Sequence, residues 1–112
     1  MSIRTEKVSE LVKKHAAEFL SREADKSSII TVTNANISDD LKNATIFFSV
    51  YPEKSEEAAL NFAKRKRSEL KRYVKSKLRM KRIPFFDFEI DYEYIYQWER
   101  KNHIIKIIAK RQ

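Results

Sequence analysis

The chain contains no cysteine and no glycine, has two prolines and one tryptophan, and carries no apolar run longer than a few residues. Without cysteine there is no disulfide, no Cys-type zinc site and no thiol chemistry, which fits a reducing compartment. Without glycine there is no Gly-rich phosphate loop and no dinucleotide fingerprint. Every turn must then be built from Asn, Asp, Pro or Ser. The short apolar runs leave nothing to span a membrane. The opening Met1-Ser-Ile-Arg-Thr-Glu-Lys7 has no apolar region behind its charges, so the expectation is a cytoplasmic protein without a signal peptide. No nucleophile, base and orienting group stand together, so the expectation is no enzyme, no cofactor and no small-molecule substrate. His15 and His103 are too isolated to suggest a metal site, and Ser38-Asp39-Asp40 reads as turn chemistry.

What the chain does have is positive charge in one place. Its 112 residues suit a single domain, 1–112, with one modest core. The formal net charge is +8, and it is unevenly spread. Between Lys64 and Arg82 stand eleven basic residues and one acid, Glu69, whereas the remainder holds thirteen basic and fifteen acidic residues. A basic patch on a nearly neutral body points to a polyanionic partner.

Hydrophobic spacing organises the rest. Ile3, Val8, Leu11, Val12, Ala16, Phe19 and Leu20 predict an amphipathic helix over residues 3–24. Ile29 to Ile37 is rich in β-branched residues and predicts a strand. Ser38 to Asn43 is a turn, with Asn43 as the candidate for positive φ. Ala44, Ile46, Phe48 and Val50 alternate with Thr45, Phe47, Ser49 and Tyr51, which predicts a half-buried hairpin partner. Pro52 suits a helix start, followed by an inner face of Ala58, Ala59, Phe62 and Ala63 and then of Leu70, Tyr73, Val74 and Leu78. The apolar gap near Lys66 allows one helix or two helices meeting at a bend, and Pro84 ends the helical region. Phe86, Phe88 and Ile90 alternate with Asp87, Glu89 and Asp91 as a third strand, with the acids outward. Ile95, Trp98, Ile105 and Ile108 suggest a C-terminal helical extension over about 92–110. The fold class is therefore α+β, a three-stranded sheet with helices mainly on one face.

The run Ile30-Thr-Val-Thr-Asn-Ala-Asn-Ile-Ser-Asp-Asp-Leu41, then Ala44-Thr-Ile-Phe-Phe-Ser-Val50, then Arg79 to Phe88 around Pro84, resembles the ribosome-binding factor A family. The opening Arg4-Thr-Glu-Lys-Val8 and its helix belong to the same likeness, which covers about residues 3–91. The resemblance implies a KH-type II domain, order α-β-β-α(α)-β. It implies a non-enzymatic factor that binds 16S rRNA and the immature 30S subunit during late assembly and 5′-end maturation. The expected state is a monomer. The family places Ala-x-Gly between its middle helices. Here that position is Ala63-Lys64-Arg65, with arginine where glycine is usual.

The basic stretch has its own physical logic. Arg67, Lys71, Lys75 and Arg79 recur at four-residue spacing, and each like-charge neighbour pair costs roughly 0.2–0.5 kcal/mol in an isolated helix. A polyanion would relieve that repulsion. The bland reading is a solvated, solubilising face. The functional reading makes Lys64, Arg65, Lys66, Arg67, Lys71, Arg72, Lys75, Arg79, Lys81 and Arg82 the RNA-binding residues, assisted by Arg4 and Lys7 on the first helix. Rival readings are a generic KH-type single-stranded nucleic-acid binder and a module that docks an acidic protein. A membrane role is disfavoured, because the apolar face of the basic helix is needed by the core.

Overall fold

The structure is a computed structural model, and it describes residues 3–24 and 27–92. The expected C-terminal helix, with Ile95, Trp98, His103, Ile105 and Ile108, lies outside the described residues. The element order is α1 (Ile3–Glu23), β1 (Ile29–Ile37), β2 (Asn43–Tyr51), a short 3-10 turn (Glu53–Ser55), α2 (Glu56–Arg65), α3 (Arg67–Lys77) and β3 (Phe85–Ile90). The three strands form one mixed sheet in the order β1-β2-β3. β1 and β2 are an antiparallel hairpin, and β3 lies parallel to β2 after the crossover through α2 and α3.

The core explains the periodicities. One face of the sheet contributes Ala35, Ile37, Ala44, Ile46, Phe48, Val50, Phe86, Phe88 and Ile90, and the helices contribute Val12, Ala16, Phe19, Leu20, Ala59, Ala63, Leu70 and Val74. Phe48 and Phe86 are the largest fully buried side chains. The strict alternation along β3 follows from its having one covered and one open face. Ala58, expected on the inner face of α2, is exposed. The helix turns Ala59 and Ala63, four residues apart, onto the sheet and leaves Ala58 beside the solvent face. A register shift between Val32 and Asn34 leaves Thr33 as a bulge, and its hydroxyl donates to Asp91 Oδ2 at 2.6 Å. That bond ties the first strand of the sheet to the residue that follows the last.

The positive-φ residue of the β1–β2 turn is Leu41, at φ 62°, and not Asn43. Asn43 is already the first residue of β2, where its carbonyl accepts from Ser38 N–H at 2.9 Å. Left-handed backbone costs a residue with a Cβ roughly 1–2 kcal/mol. Three features offset that cost. Ser38 Oγ donates to Asp40 Oδ1 at 2.6 Å, Lys42 N–H donates to the same oxygen at 3.0 Å, and the Leu41 side chain packs against the core.

The middle helical region is two helices. Lys66 caps both at φ −90°, ψ 5°, a conformation open to any L-residue although sparsely used. Its N–H is shared between the Phe62 and Ala63 carbonyls, and its own carbonyl accepts from Leu70 N–H at 2.9 Å. No positive φ is required, so the absence of glycine is no obstacle to the break. α3 ends at Lys77, well short of Pro84, and Leu78 is already extended. Buried Leu78, Ile83 and Pro84 draw the chain back onto the body, and Arg79, Lys81 and Arg82 therefore stand on a connecting segment and not on a helix.

If the break needs no glycine, Arg65→Gly should weaken the end of α2 and lower stability by about 0.5–1 kcal/mol in urea denaturation. A gain in stability would show instead that the arginine strains the joint.

Candidate nucleic-acid interface

The structure divides the basic stretch into cations used by the fold and cations displayed to solvent. Lys66, at the joint, approaches Glu69 Oε2 at 3.3 Å and Glu23 Oε1 of α1 at 3.6 Å. Arg67 turns back onto β3. Its Nε donates to the Phe86 carbonyl at 2.6 Å, its Nη2 lies 3.6 Å from Asp87 Oδ1, and its guanidinium stands 4.4 Å from the centroid of the Phe85 ring. Phe85 and Asp91 donate toward Lys42 and Phe48, so the backbone groups of Phe86 and Phe88 face away from β2, along the outer edge of the sheet. Arg67 covers the Phe86 carbonyl there. Asp87 Oδ1 accepts the Phe88 N–H at 2.9 Å. On β1, the other outer strand, Asn34 Oδ1 accepts the Ala35 N–H at 2.9 Å in the same manner. Charged or polar side chains thus blunt both outer strands against pairing with another chain.

This corrects two expectations. The basic stretch is not unmatched by acids, because Glu23, Glu69 and Asp87 face its first cations. The four-residue ladder is not a single displayed face, because Arg67 folds inward and Arg79 lies beyond the helix. Sequence spacing could not reveal either, since the partners stand on α1 and β3, far away along the chain.

The displayed set is Lys64 and Arg65 at the end of α2, Lys71, Arg72 and Lys75 on α3, and Arg79, Lys81 and Arg82 on the connecting segment, all exposed. The buried Leu70 and Val74 hold α3 down, and that packing points Lys71, Arg72 and Lys75 outward. Arg4 and Lys7 belong to the first two turns of α1, and Lys7 is exposed. The α1 side chains that meet Tyr73 of α3 are His15, Glu18, Phe19 and Arg22, all further along the helix than Lys7.

Two cations outside the expected set join the patch on its α1 side. Arg22 and Lys77 both stand over the Tyr73 ring, at 4.8 and 5.4 Å from its centroid. Tyr73 donates its hydroxyl hydrogen bond to Glu18 Oε1 at 3.1 Å, which also lies 2.8 Å from His15 Nδ1. These bonds, that from His15 foremost, lower the Glu18 pKa below its ordinary value, and burial with the Glu18 contact raises that of Tyr73. The sequence signal for Arg22 was its place one turn beyond Phe19. The rest of the cluster depends on how α1 crosses α3.

Among the described residues no group of three or more His, Asp or Glu could hold a metal ion, and no helix is long and apolar enough to cross a membrane.

A family model described as "Ribosome-binding factor A" matches residues 4–108. The ribosome-binding factor A of Pelodictyon phaeoclathratiforme is 33% identical over 114 residues, covering 97% of this chain and 92% of that protein. That of Chlorobium phaeobacteroides is 29% identical over 116 residues, covering 100% and 99%. The crystal structure of ribosome-binding factor A from Thermus thermophilus superposes with a TM-score of 0.70 at 23% identity, covering 77% of this chain and 94% of that one. A model of the Thermus thermophilus factor fitted into the cryo-electron-microscopy map of its complex with 30S gives 0.57 at 23% identity, over 70% of this chain and 90% of that one. These structural likenesses support the KH-like α+β fold.

The division of cations predicts different outcomes for neighbouring substitutions. Arg67→Gln should cost about 1–2 kcal/mol of stability, because the Phe86 carbonyl loses a charged donor. Lys71→Gln and Lys75→Gln should change stability by less than about 0.5 kcal/mol. Thermal unfolding of the three variants measures the contrast, and equal losses would contradict the division.

Proposed function

The chain belongs to the ribosome-binding factor A family, and from that premise we propose that it binds the small ribosomal subunit through the exposed cations of α2, α3 and the segment after α3. Its target is 16S rRNA in immature 30S particles, and its work is late assembly and 5′-end rRNA maturation. It acts in the cytoplasm as a monomer and as a binding factor, without a catalytic step of its own.

The observation that carries this reading is the displayed set itself. Eight exposed cations, Lys64, Arg65, Lys71, Arg72, Lys75, Arg79, Lys81 and Arg82, follow one another over two helices and a loop. The acids near the stretch are engaged with Lys66 and Arg67 instead. Phosphate contacts from such a surface supply affinity and register without reading sequence. Folded rRNA presents the dense negative charge that these cations need, and its shape supplies the discrimination.

Co-sedimentation with immature and mature small subunits tests the proposal. Binding should favour the immature particles and should weaken steeply as salt rises, since each neutralised phosphate releases counterions. The Lys71→Gln, Arg72→Gln, Lys75→Gln triple variant should remain folded and lose about tenfold or more in affinity at moderate salt. Salt-insensitive binding, or none, would overturn the reading.

A further inference from the structure

One hollow in the molecule has a lining that phosphate contact alone does not explain. It lies between the β1–β2 turn and the segment after α3, has a volume of about 510 Å³, and is lined by Asp40, Leu41, Arg79, Met80, Lys81 and Arg82. A surface that only holds phosphates needs neither a cavity nor an apolar wall, and a carboxylate there would repel the ligand.

We propose that this hollow receives one unpaired ribonucleotide, and that Asp40 selects bases presenting an amino group. The proposal rests on the reading that the basic surface binds RNA, and it names what that surface reads. Leu41 and Met80 offer the apolar wall on which a base can lie, and Arg79, Lys81 and Arg82 offer the flanking cations for its phosphates. The size falls within the range of small-ligand pockets, roughly 300–1,000 Å³. In an A-form duplex the bases are stacked and paired, so only a splayed base can enter.

Asp40 is one of the residues that line the hollow. Its Oδ1 accepts from both Ser38 Oγ and Lys42 N–H, and Oδ2 takes part in neither bond. Those same bonds, Ser38 first, lower its pKa, so the group stays an ionised acceptor. An ionised carboxylate can only accept. It therefore suits the amino groups of cytosine, adenine and guanine. The one Watson–Crick donor of uracil lies between two carbonyl oxygens that the carboxylate repels.

The hollow is also built in advance of any ligand. The turn is closed by Ser38 N–H to the Asn43 carbonyl and Leu41 N–H to the Ser38 carbonyl, each at 2.9 Å. The opposite wall is pinned by buried Leu78, Ile83 and Pro84 and by a hydrogen bond from Met80 N–H to the Leu78 carbonyl at 2.7 Å. The Phe85 N–H to Lys42 carbonyl bond, 2.9 Å, joins the two walls. Little ordering is left for binding to supply.

Fluorescence anisotropy with single-stranded oligo-C, oligo-A and oligo-U of equal length, at one salt concentration, tests the idea on the full chain. Oligo-C and oligo-A should bind at least about tenfold tighter than oligo-U, the scale of one hydrogen bond to a charged group. Asp40→Asn keeps an oxygen for Ser38 and Lys42 but replaces the second acceptor by a donor, and it should abolish or reverse the preference. Arg79→Gln with Arg82→Gln should weaken all three oligonucleotides in parallel. Met80→Ala leaves every turn hydrogen bond in place, and it should bring oligo-C and oligo-A toward the oligo-U level even if Asp40→Asn melts. Equal binding of the three, or a preference untouched by both Asp40→Asn and Met80→Ala, would overturn the pocket. If that result came with normal subunit binding, the ribosomal reading would stand alone. A clear base preference without subunit binding would support the pocket and overturn the ribosomal reading.

Discussion

The joint at Lys66 is the constraint on which the basic surface depends. One residue closes α2, opens α3 and draws a carboxylate from α1 and another from α3. The next residue, Arg67, is spent on the edge of β3. Beyond those two cations, buried Leu70 and Val74 hold α3 down and leave Lys71, Arg72 and Lys75 outward. A continuous helix from Glu56 to Arg82 would have carried its cations past the end of the sheet. The two breaks, at Lys66 and after Lys77, distribute them over α2, α3 and the segment that follows.

The repulsion within the basic stretch is thereby reduced before any ligand arrives. Of the like-charge neighbours at four-residue spacing, only Lys71 and Lys75 remain a displayed pair on the helix. Each such pair costs roughly 0.2–0.5 kcal/mol, small against the stability of a domain, so the surface is inexpensive to maintain. The same pattern serves the sheet. Side chains of Arg67, Asp87 and Asn34 occupy backbone groups on the outer strands that would otherwise invite another strand.

Much of this architecture was legible in the sequence, for a definite reason. β-branched composition placed β1 at Ile29–Ile37, and periods of two and of 3.6, which are local signals, placed the alternation of β3 and the inner face of α1, apart from Leu11, which is exposed. What escaped depended on partners far along the chain. Arg67 reads as one more exposed cation until β3 is laid beside it. Within the Ser38–Asn43 turn, residue type pointed to Asn43 for the positive φ, whereas Leu41 takes it in a turn closed by Ser38 and Asp40 around it. The end of α3 at Lys77 is set by burial of Leu78, Ile83 and Pro84, which spacing alone could not separate from one more helical turn. The missing glycine was the most misleading absence, since the bend it seemed to endanger uses no glycine-only conformation. The exposure of most cations in the stretch, by contrast, was legible, because a helix held by so few apolar residues must show the rest of its surface.

The central claim is that the charge of the basic stretch is divided between fold and partner. Lysine acylation followed by mass spectrometry, on the free protein and on the protein bound to small subunits, measures that division residue by residue. Lys64, Lys71, Lys75 and Lys81 should react readily when free and become protected when bound. Lys66 should react slowly in both states, and Lys54, on the turn before α2, should stay reactive in both. Lys71 and Lys75 remaining fully reactive on the bound protein would contradict the account.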